Sequence, residues 1–283
     1  MLVRWFVVML LFASLWRGVA AASSPDEFPF VVRAGLIWLK VNVPESKEPL
    51  NFLLDSGAGA SVINLPTAER LGVKLGRPVN VRGVGASAGG FWPQRLEASV
   101  GGVELPKDYL AVELTELSRA CKCDVDGLLG ADFFRSRVVQ IDFNAGKVRL
   151  LRSCTADTNA VVAKLKVSRD VMLAAVGVDE AKPQWVRVDT GCASPLQWVA
   201  TKRDKAQRGG GVSVGLTELN ITSATTTVRL GSTTFESVRT GLHSQPIFTG
   251  EHGLLGNGLL TRFERVTFDT KSSRLVLEGQ RPD

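Results

Sequence analysis

Residues 53–58 read Leu-Leu-Asp-Ser-Gly-Ala, and residues 188–191 repeat the pattern as Val-Asp-Thr-Gly, with the second aspartate 134 positions after the first. Each copy follows an apolar stretch and precedes an identical Gly-Leu-Leu-Gly, at 127–130 and at 253–256. One Asp-Ser/Thr-Gly triplet is weak evidence, because about 0.1 copies are expected by chance in a chain of this length. Two copies in the same context indicate an internal duplication. The alternative is a duplicated β-domain in which the triplet only makes a tight turn, which leaves the repeated charge unexplained.

The sequence around both triplets has the alternation and the turn residues of short β-strands. The predicted strands are 37–43, 51–54, 138–143, 147–151, 171–178, 184–188, 265–268 and 274–277. Short helices are predicted at 66–71, where Gly72 follows the last turn, and at 195–203. We therefore predict an all-β protein of two similar lobes, 23–151 and 160–283, joined by a polar linker at 152–159.

Composition limits the class of protein. The chain has 283 residues, of which 45% are hydrophobic, so it can bury a core and is too apolar to be disordered. The net charge of +6 is modest and is not gathered into runs of Lys and Arg. No nucleic-acid partner is therefore expected.

The first 22 residues have the layout of a secretory signal peptide. Arg4 supplies a positive charge, residues 5–16 form an apolar run, and residues 19–22 end in small side chains. Arg17 interrupts the run before it reaches the roughly 20 residues that a membrane-spanning helix needs. We expect cleavage after Ala22, export to the periplasm or the medium, and no membrane span afterwards; the alternative is an uncleaved anchor. About 14 residues separate the cleavage point from the predicted first strand at 36–39, so no long propeptide is expected.

Export makes disulfides possible. Cys121 and Cys123 are too close for a comfortable mutual bridge, so we expect one of them to pair with Cys154. A zinc site built from these cysteines with His243 or His252 is the alternative, but no pair has the spacing of a zinc finger. No metal site is predicted.

The two triplets together with the two Gly-Leu-Leu-Gly segments resemble the aspartic proteases, the superfamily of pepsin and retropepsin, from about residue 36 to residue 277. The segments 60–63 and 68–72 are similar to those of bacterial retropepsin-like members. The resemblance implies two β-barrel lobes, each contributing one catalytic aspartate, Asp55 and Asp189, and a ψ-shaped motif. The supporting active-site residues that it implies are Ser56, Gly57, Thr190, Gly191, Leu129, Gly130, Leu255 and Gly256.

The flap over the active site is expected near residues 81–90, with Gly83, Val84 and Gly85 as the candidate flap residues, and a second flap within 209–219. Two positions depart from the family pattern. The flap tyrosine of pepsins has no match, since Tyr109 lies after the predicted flap. Cys192 stands where the family usually has Ala, Ser or Thr.

The resemblance implies an endopeptidase that activates water between two aspartates, acts on peptides or proteins, needs no metal or organic cofactor and works as a monomer. Two alternatives stay open. One is an inert member that only binds peptides or proteins; the other is a homodimer that uses mainly Asp55. Because Ala58 and Cys192 offer no hydroxyl to the carboxylates, we expect activity at mildly acidic to near-neutral pH.

Overall fold

The computed structural model describes residues 26–200, 209–214 and 218–281, with side chains from 26 to 200 and from 221 to 281. The predicted signal peptide lies outside the described residues. The strands of the first half are β1 (Glu27–Pro29), β2 (Val31–Arg33), β3 (Leu36–Val41), β4 (Leu50–Leu54), β5 (Val62–Asn64), β6 (Arg77–Arg82), β7 (Ser87–Arg95), β8 (Ser99–Val100), β9 (Val103–Glu104), β10 (Asp108–Val112), β11 (Gly127–Leu129), β12 (Val138–Asp142) and β13 (Lys147–Leu151). The helices of this half are α1 (Leu65–Arg70), α2 (Thr115–Cys121) and a single 3₁₀ turn (Ala131–Phe133).

The second half continues with more strands and one short helix. The strands are β14 (Val161–Ser168), β15 (Val171–Val178), β16 (Gln184–Asp189), β17 (Leu196–Val199), β18 (Gly209–Val214), β19 (Glu218–Leu230), β20 (Thr233–His243), β21 (Gly253–Gly256), β22 (Phe263–Asp269) and β23 (Arg274–Gln280). The helix is α3 (Asn257–Leu260). Strands dominate the described residues, which confirms the predicted all-β class. No helix among these residues has the length and apolar composition needed to cross a membrane.

Two sheets place the two triplets in matching surroundings. An eight-stranded sheet runs in the order β2-β3-β4-β11-β5-β10-β7-β6, and a thirteen-stranded sheet in the order β1-β13-β12-β22-β23-β14-β15-β16-β21-β17-β20-β19-β18. In the first sheet β11 lies parallel to β4 and antiparallel to β5. In the second, β21 lies parallel to β16 and antiparallel to β17. Both Gly-Leu-Leu-Gly segments therefore run beside the strand that leads to an aspartate.

The larger sheet crosses between the two halves of the chain. β12 of the first half pairs with β22 of the second, with Gln140 opposite Thr267. The rings of Phe134 and Phe268, one from each half, have centroids 4.9 Å apart in the core. The two halves, which carry Asp55 and Asp189, are therefore joined by a shared sheet and a shared core.

Three sequence predictions are wrong in this part of the molecule. Residues 196–199 form β17 rather than a helix, because the side chains of 196–198 are buried while the backbone pairs with β20 and β21. Residues 201–203 lie outside the described residues. The first strand begins at Glu27 rather than near residue 36. The bridge to Cys154 does not form, since all four cysteines are free thiols. Cys121 borders a cleft beside α2, whereas the Cys154 carbonyl accepts a hydrogen bond from Arg274.

Candidate active site

Parallel pairing positions both aspartates at strand ends. Asp55 follows the last residue of β4, and its N–H donates to the carbonyl of Leu129 (2.9 Å). Asp189 ends β16 opposite Gly256 of β21. Leu129 and Leu255 are fully buried under these two loops. The structure brings the two carboxyl groups into direct contact, with Asp189 only 8% exposed.

The hydroxyl residues of the two triplets bond across the halves. The Ser56 N–H donates to Thr190 Oγ1 (2.9 Å), and the Thr190 N–H donates to Ser56 Oγ (3.0 Å). Each hydroxyl then donates to the opposite strand, Ser56 to the Val188 carbonyl (2.8 Å) and Thr190 to the Leu54 carbonyl (2.7 Å). Both residues are completely buried. Four hydrogen bonds thus fix the relative position of the two loops.

The glycines of the triplets permit the close approach of the loops. A Cβ placed on Gly57 would lie 2.6 Å from Oδ2 of Asp189, and one placed on Gly191 would lie 2.5 Å from Cγ of Asp55. Real Cβ atoms do not approach other atoms so closely. Each glycine therefore makes room for the aspartate of the other half, and neither position can hold a larger residue without moving a carboxyl group.

Backbone amides and burial set the electrostatics of the pair. Oδ1 of Asp55 accepts hydrogen bonds from the N–H groups of Gly57 (3.0 Å) and Ala58 (3.1 Å), and Oδ1 of Asp189 accepts one from Gly191 (2.9 Å). Burial raises the pKa of Asp55 above its usual value. Burial and the neighbouring charge of Asp55 raise the pKa of Asp189 well above its usual value. The arrangement therefore favours one shared proton over two ionised carboxylates.

Residues that the sequence analysis did not identify support the loops. Ser61 and Asp132 brace the first half: the Ser61 hydroxyl donates to Asp132 Oδ1 (2.7 Å) and accepts from the Gly130 N–H (3.1 Å). In the second half, the amide of Asn257 donates to the carbonyls of Thr190 (2.7 Å) and Gly35 (2.9 Å). Asp132 and Asn257 follow the two Gly-Leu-Leu-Gly segments within two residues, and Ser61 bonds to Gly130 of the first segment. A polar residue just after each segment was the sequence signal that could have identified Asp132 and Asn257.

A buried ion pair, also missed from the sequence, lies beside the aspartates. Arg187 Nε and Nη2 donate to the two carboxylate oxygens of Glu251 (2.7 and 2.6 Å). Arg187 Nη1 donates to the carbonyl of Gly57 in the other half (2.7 Å), and the guanidinium lies 3.6 Å from the centre of the Phe248 ring. A charged residue within the otherwise apolar stretch 185–188 was the signal in the sequence.

The two carboxyl groups border a cleft of about 710 Å³. Its first-half wall is mainly apolar and includes Leu36, Leu53, Val62, Leu110, Leu117 and Leu128. Its second-half wall carries polar side chains, among them Arg187, Ser194 and Gln197, together with Phe248. A mainly apolar cleft with a few converging polar groups has the composition of a ligand-binding site.

The β6–β7 hairpin lies where the first flap was predicted, and residues 79–84 of it border the cleft. Its turn contains the three candidate residues, and the Gly83 N–H donates to the Ala86 carbonyl (2.9 Å). Gly85 has a φ of +75°, which favours glycine. Gly83 and Val84 border the main cleft, while Gly85 borders a neighbouring cavity of about 380 Å³ that faces residues 243–247.

The second predicted flap corresponds to the antiparallel pair β18 and β19, whose connecting residues 215–217 lie outside the described residues. The two histidines do not converge on the cysteines. His243 contacts the side chain of Gln197, and the His252 ring lies tilted against Trp198 with ring centroids 6.4 Å apart. No group of three or more candidate metal ligands occurs within the described ranges.

Comparison with known proteins supports the resemblance given above. A family model described as aspartyl protease matches residues 39–133, a segment that includes Asp55 and the first Gly-Leu-Leu-Gly. This match confirms the resemblance to the aspartic protease superfamily and supports aspartic protease activity in general. A search of curated proteins found no match.

Proposed function

We propose that the protein is an exported aspartic endopeptidase that hydrolyses peptide bonds with a water molecule activated between Asp55 and Asp189. The observation that carries this proposal is the direct contact of the two carboxyl groups at the cleft, with the pKa of Asp189 raised by burial and by Asp55. Two neighbouring carboxyl groups that share one proton supply a general base and a general acid at the same time.

The reaction needs one ionised and one protonated aspartate. The ionised carboxylate takes a proton from water as the water oxygen bonds to the peptide carbonyl carbon, and the protonated carboxyl donates its proton to the carbonyl oxygen. The tetrahedral intermediate then collapses, the C–N bond breaks, and the departing nitrogen receives a proton from the pair. Because the two groups titrate together, the base is assigned to the pair rather than to one residue. No metal or organic cofactor takes part.

A peptide or protein is the proposed substrate, bound by one chain of the enzyme. The cleft of about 710 Å³ borders both carboxyl groups, and its apolar first-half wall favours a bulky apolar side chain of the substrate on that side. Both aspartates belong to the same chain, which supports a monomeric enzyme. Export rests on the signal-peptide pattern of residues 1–22, and N-terminal sequencing of the secreted or periplasmic protein tests it.

The test is cleavage of a mixed peptide library by the protein starting at Ser23, between about pH 3 and pH 8. Asp55→Asn and Asp189→Asn are run beside the wild type. We expect cleavage by the wild type and none by either variant, with the cleavage sites giving the specificity. If all three proteins are inert and the wild type still binds peptides, the protein is a binding module and the proposal is wrong.

A further inference from the structure

Arg187 and Asp189 share one face of β16, since side chains two residues apart in a strand point the same way. Arg187 is only 8% exposed, yet all three guanidinium nitrogens are engaged, two with Glu251 and one with the Gly57 carbonyl. The Phe248 ring covers its face. This cation is therefore held rigidly next to the aspartates rather than exposed to solvent.

The first half has no such pair. Leu53 lies two residues before Asp55, as Arg187 lies two residues before Asp189. Val125 lies two residues before Gly127, as Glu251 lies two residues before Gly253. Leu53 and Val125 are both 1% exposed and belong to one apolar cluster.

A well-packed apolar pair can fill such a position without the cost of removing two charges from water. Stability alone therefore does not explain why the second half carries charges where the first half carries Leu and Val. The contact with Gly57 suggests another role. The Gly57 N–H donates to Asp55, and the Gly57 Cα faces the carboxyl group of Asp189. Gly57 therefore connects the guanidinium of Arg187 to both carboxyl groups.

We propose that Arg187, oriented by Glu251, is a positioning residue of the aspartate pair that fixes the Asp55 loop through the Gly57 carbonyl and holds a permanent positive charge beside both carboxyl groups. This inference rests on the proposed function. The charge stabilises the ionised carboxylate that takes the proton from water, while the bond to Gly57 keeps the two loops in register. Arg187 thus supplies the stabilisation of the ionised carboxylate that Ala58 and Cys192, which have no hydroxyl, do not provide.

The charges around the pair agree with this role. The positive charge of Arg187 opposes the effect of burial on the pKa of both aspartates. Cys192 is neutral, because burial raises the pKa of its thiol to about 12. Three further charged residues border the cleft, and each has another partner. Arg82 donates to Thr249 Oγ1 (3.3 Å), Arg169 donates to the Thr249 carbonyl (3.0 Å), and Asp170 pairs with Arg135 (2.6 Å).

The decisive variant is Arg187→Leu with Glu251→Val, which gives the second half the same apolar pair as the first and leaves no unpaired buried charge. We expect the pH range of kcat/KM to move upward by about one unit, since an opposite charge at short range shifts a carboxyl pKa by 1–3 units. We expect kcat to fall and KM to change little. Arg187→Lys, which keeps the charge, should retain the pH range of the wild type.

The control is Glu97→Gln with Lys107→Gln, which removes one charge of each sign from an exposed pair outside the cleft lining. It should leave the pH profile unchanged. Thermal unfolding shows whether each variant is folded. If the Leu/Val variant is folded and keeps the pH profile of the wild type, Arg187 has no positioning role and the inference is wrong.

A second readout does not depend on cleavage. Carbon-13 NMR titration of the aspartate carboxyl groups, assigned with Asp55→Asn and Asp189→Asn, reports protonation of the pair directly. An upward shift in the Leu/Val variant supports the role of Arg187 even if no peptide is cleaved, in which case the proposed function alone fails. If the carboxyl groups of the Leu/Val variant titrate as in the wild type and the wild type cleaves peptides, the inference about Arg187 is wrong and the protease proposal stands.

Discussion

Gly57 lies against the carboxyl group of Asp189, and Gly191 lies in the same way against Asp55. A Cβ on Gly57 would come within 2.6 Å of Asp189 Oδ2. The backbone of each loop thus forms a wall of the pocket that holds the aspartate of the other half. The position of each carboxyl group depends on both halves of the chain, and a change in one loop is transmitted to the opposite aspartate.

Gly57→Ala is expected to abolish most of the activity, because the new methyl group displaces Asp189 from its position beside Asp55. A displacement of about 1 Å costs about 100-fold in rate, and overpacking of this kind costs about 1–3 kcal/mol of stability. The matched control is Gly59→Ala, where the nearest atoms to the new methyl are 3.9 Å away. Equal activity of the two variants in a peptide-cleavage assay would contradict the role of this contact.

Thr190→Val removes the hydroxyl that accepts from the Ser56 N–H and donates to the Leu54 carbonyl. The variant leaves a buried donor and a buried acceptor without partners, so we expect unfolding in urea to show a loss of about 1–3 kcal/mol. Thr190→Ser keeps the hydroxyl and should lose much less. A valine variant as stable as the serine variant would show that the cross-bonds contribute nothing.

Asp189→Asn is expected to be more stable than the wild type near neutral pH. The pKa of Asp189 is raised in the folded protein, so the folded state holds a proton that the unfolded chain has already released. The wild type therefore loses stability as the pH rises from the unfolded-state pKa to the folded-state pKa, and the neutral Asn variant lacks this loss.

Thermal unfolding across this pH range tests the prediction. The advantage of the Asn variant should be smallest at acid pH, below the usual pKa of an aspartate, and should grow towards neutral pH. Asp170→Asn, at an exposed aspartate that pairs with Arg135, is the control for the removal of one carboxylate. A difference between wild type and Asp189→Asn that is independent of pH would contradict the raised pKa.

The pH optimum of peptide cleavage should lie in the mildly acidic to near-neutral range. Burial raises the pKa of both aspartates, and no hydroxyl follows either triplet to offset it, since Ala58 and Cys192 occupy those positions. Replacing Ala58 by Ser adds a donor next to Asp55 and should move the optimum towards acid. An optimum of the wild type below about pH 3 would contradict the prediction.

The sequence was sufficient for the features that are encoded locally. The triplets and the Gly-Leu-Leu-Gly segments predicted the strand-end loops that contain Asp55 and Asp189, because each motif combines an apolar strand with a glycine-dependent turn. The Arg187–Glu251 pair was missed because its members are 64 residues apart and meet only when β16 and β21 pair. An arginine within a strand otherwise indicates a solvent-facing position.

Residues 196–199 show a second limit. A short apolar run fits a buried strand and a short helix equally well, and local sequence does not distinguish them. The choice depends on β20 and β21, which supply hydrogen-bond partners on both sides of Leu196 and Trp198. Asn257 was missed for a similar reason, since its two carbonyl partners, on Thr190 and Gly35, come from distant parts of the chain.

The most direct test of the central claim is kcat/KM of Asp189→Asn on a cleaved peptide, measured beside Asp55→Asn and with the native mass of each protein. If the two aspartates form one catalytic pair within a single chain, both variants lose about 100-fold or more in kcat/KM while remaining folded monomers. If Asp189→Asn keeps the activity of the wild type, Asp55→Asn is inactive and the native mass is that of a dimer, catalysis uses Asp55 from two chains and the account is wrong.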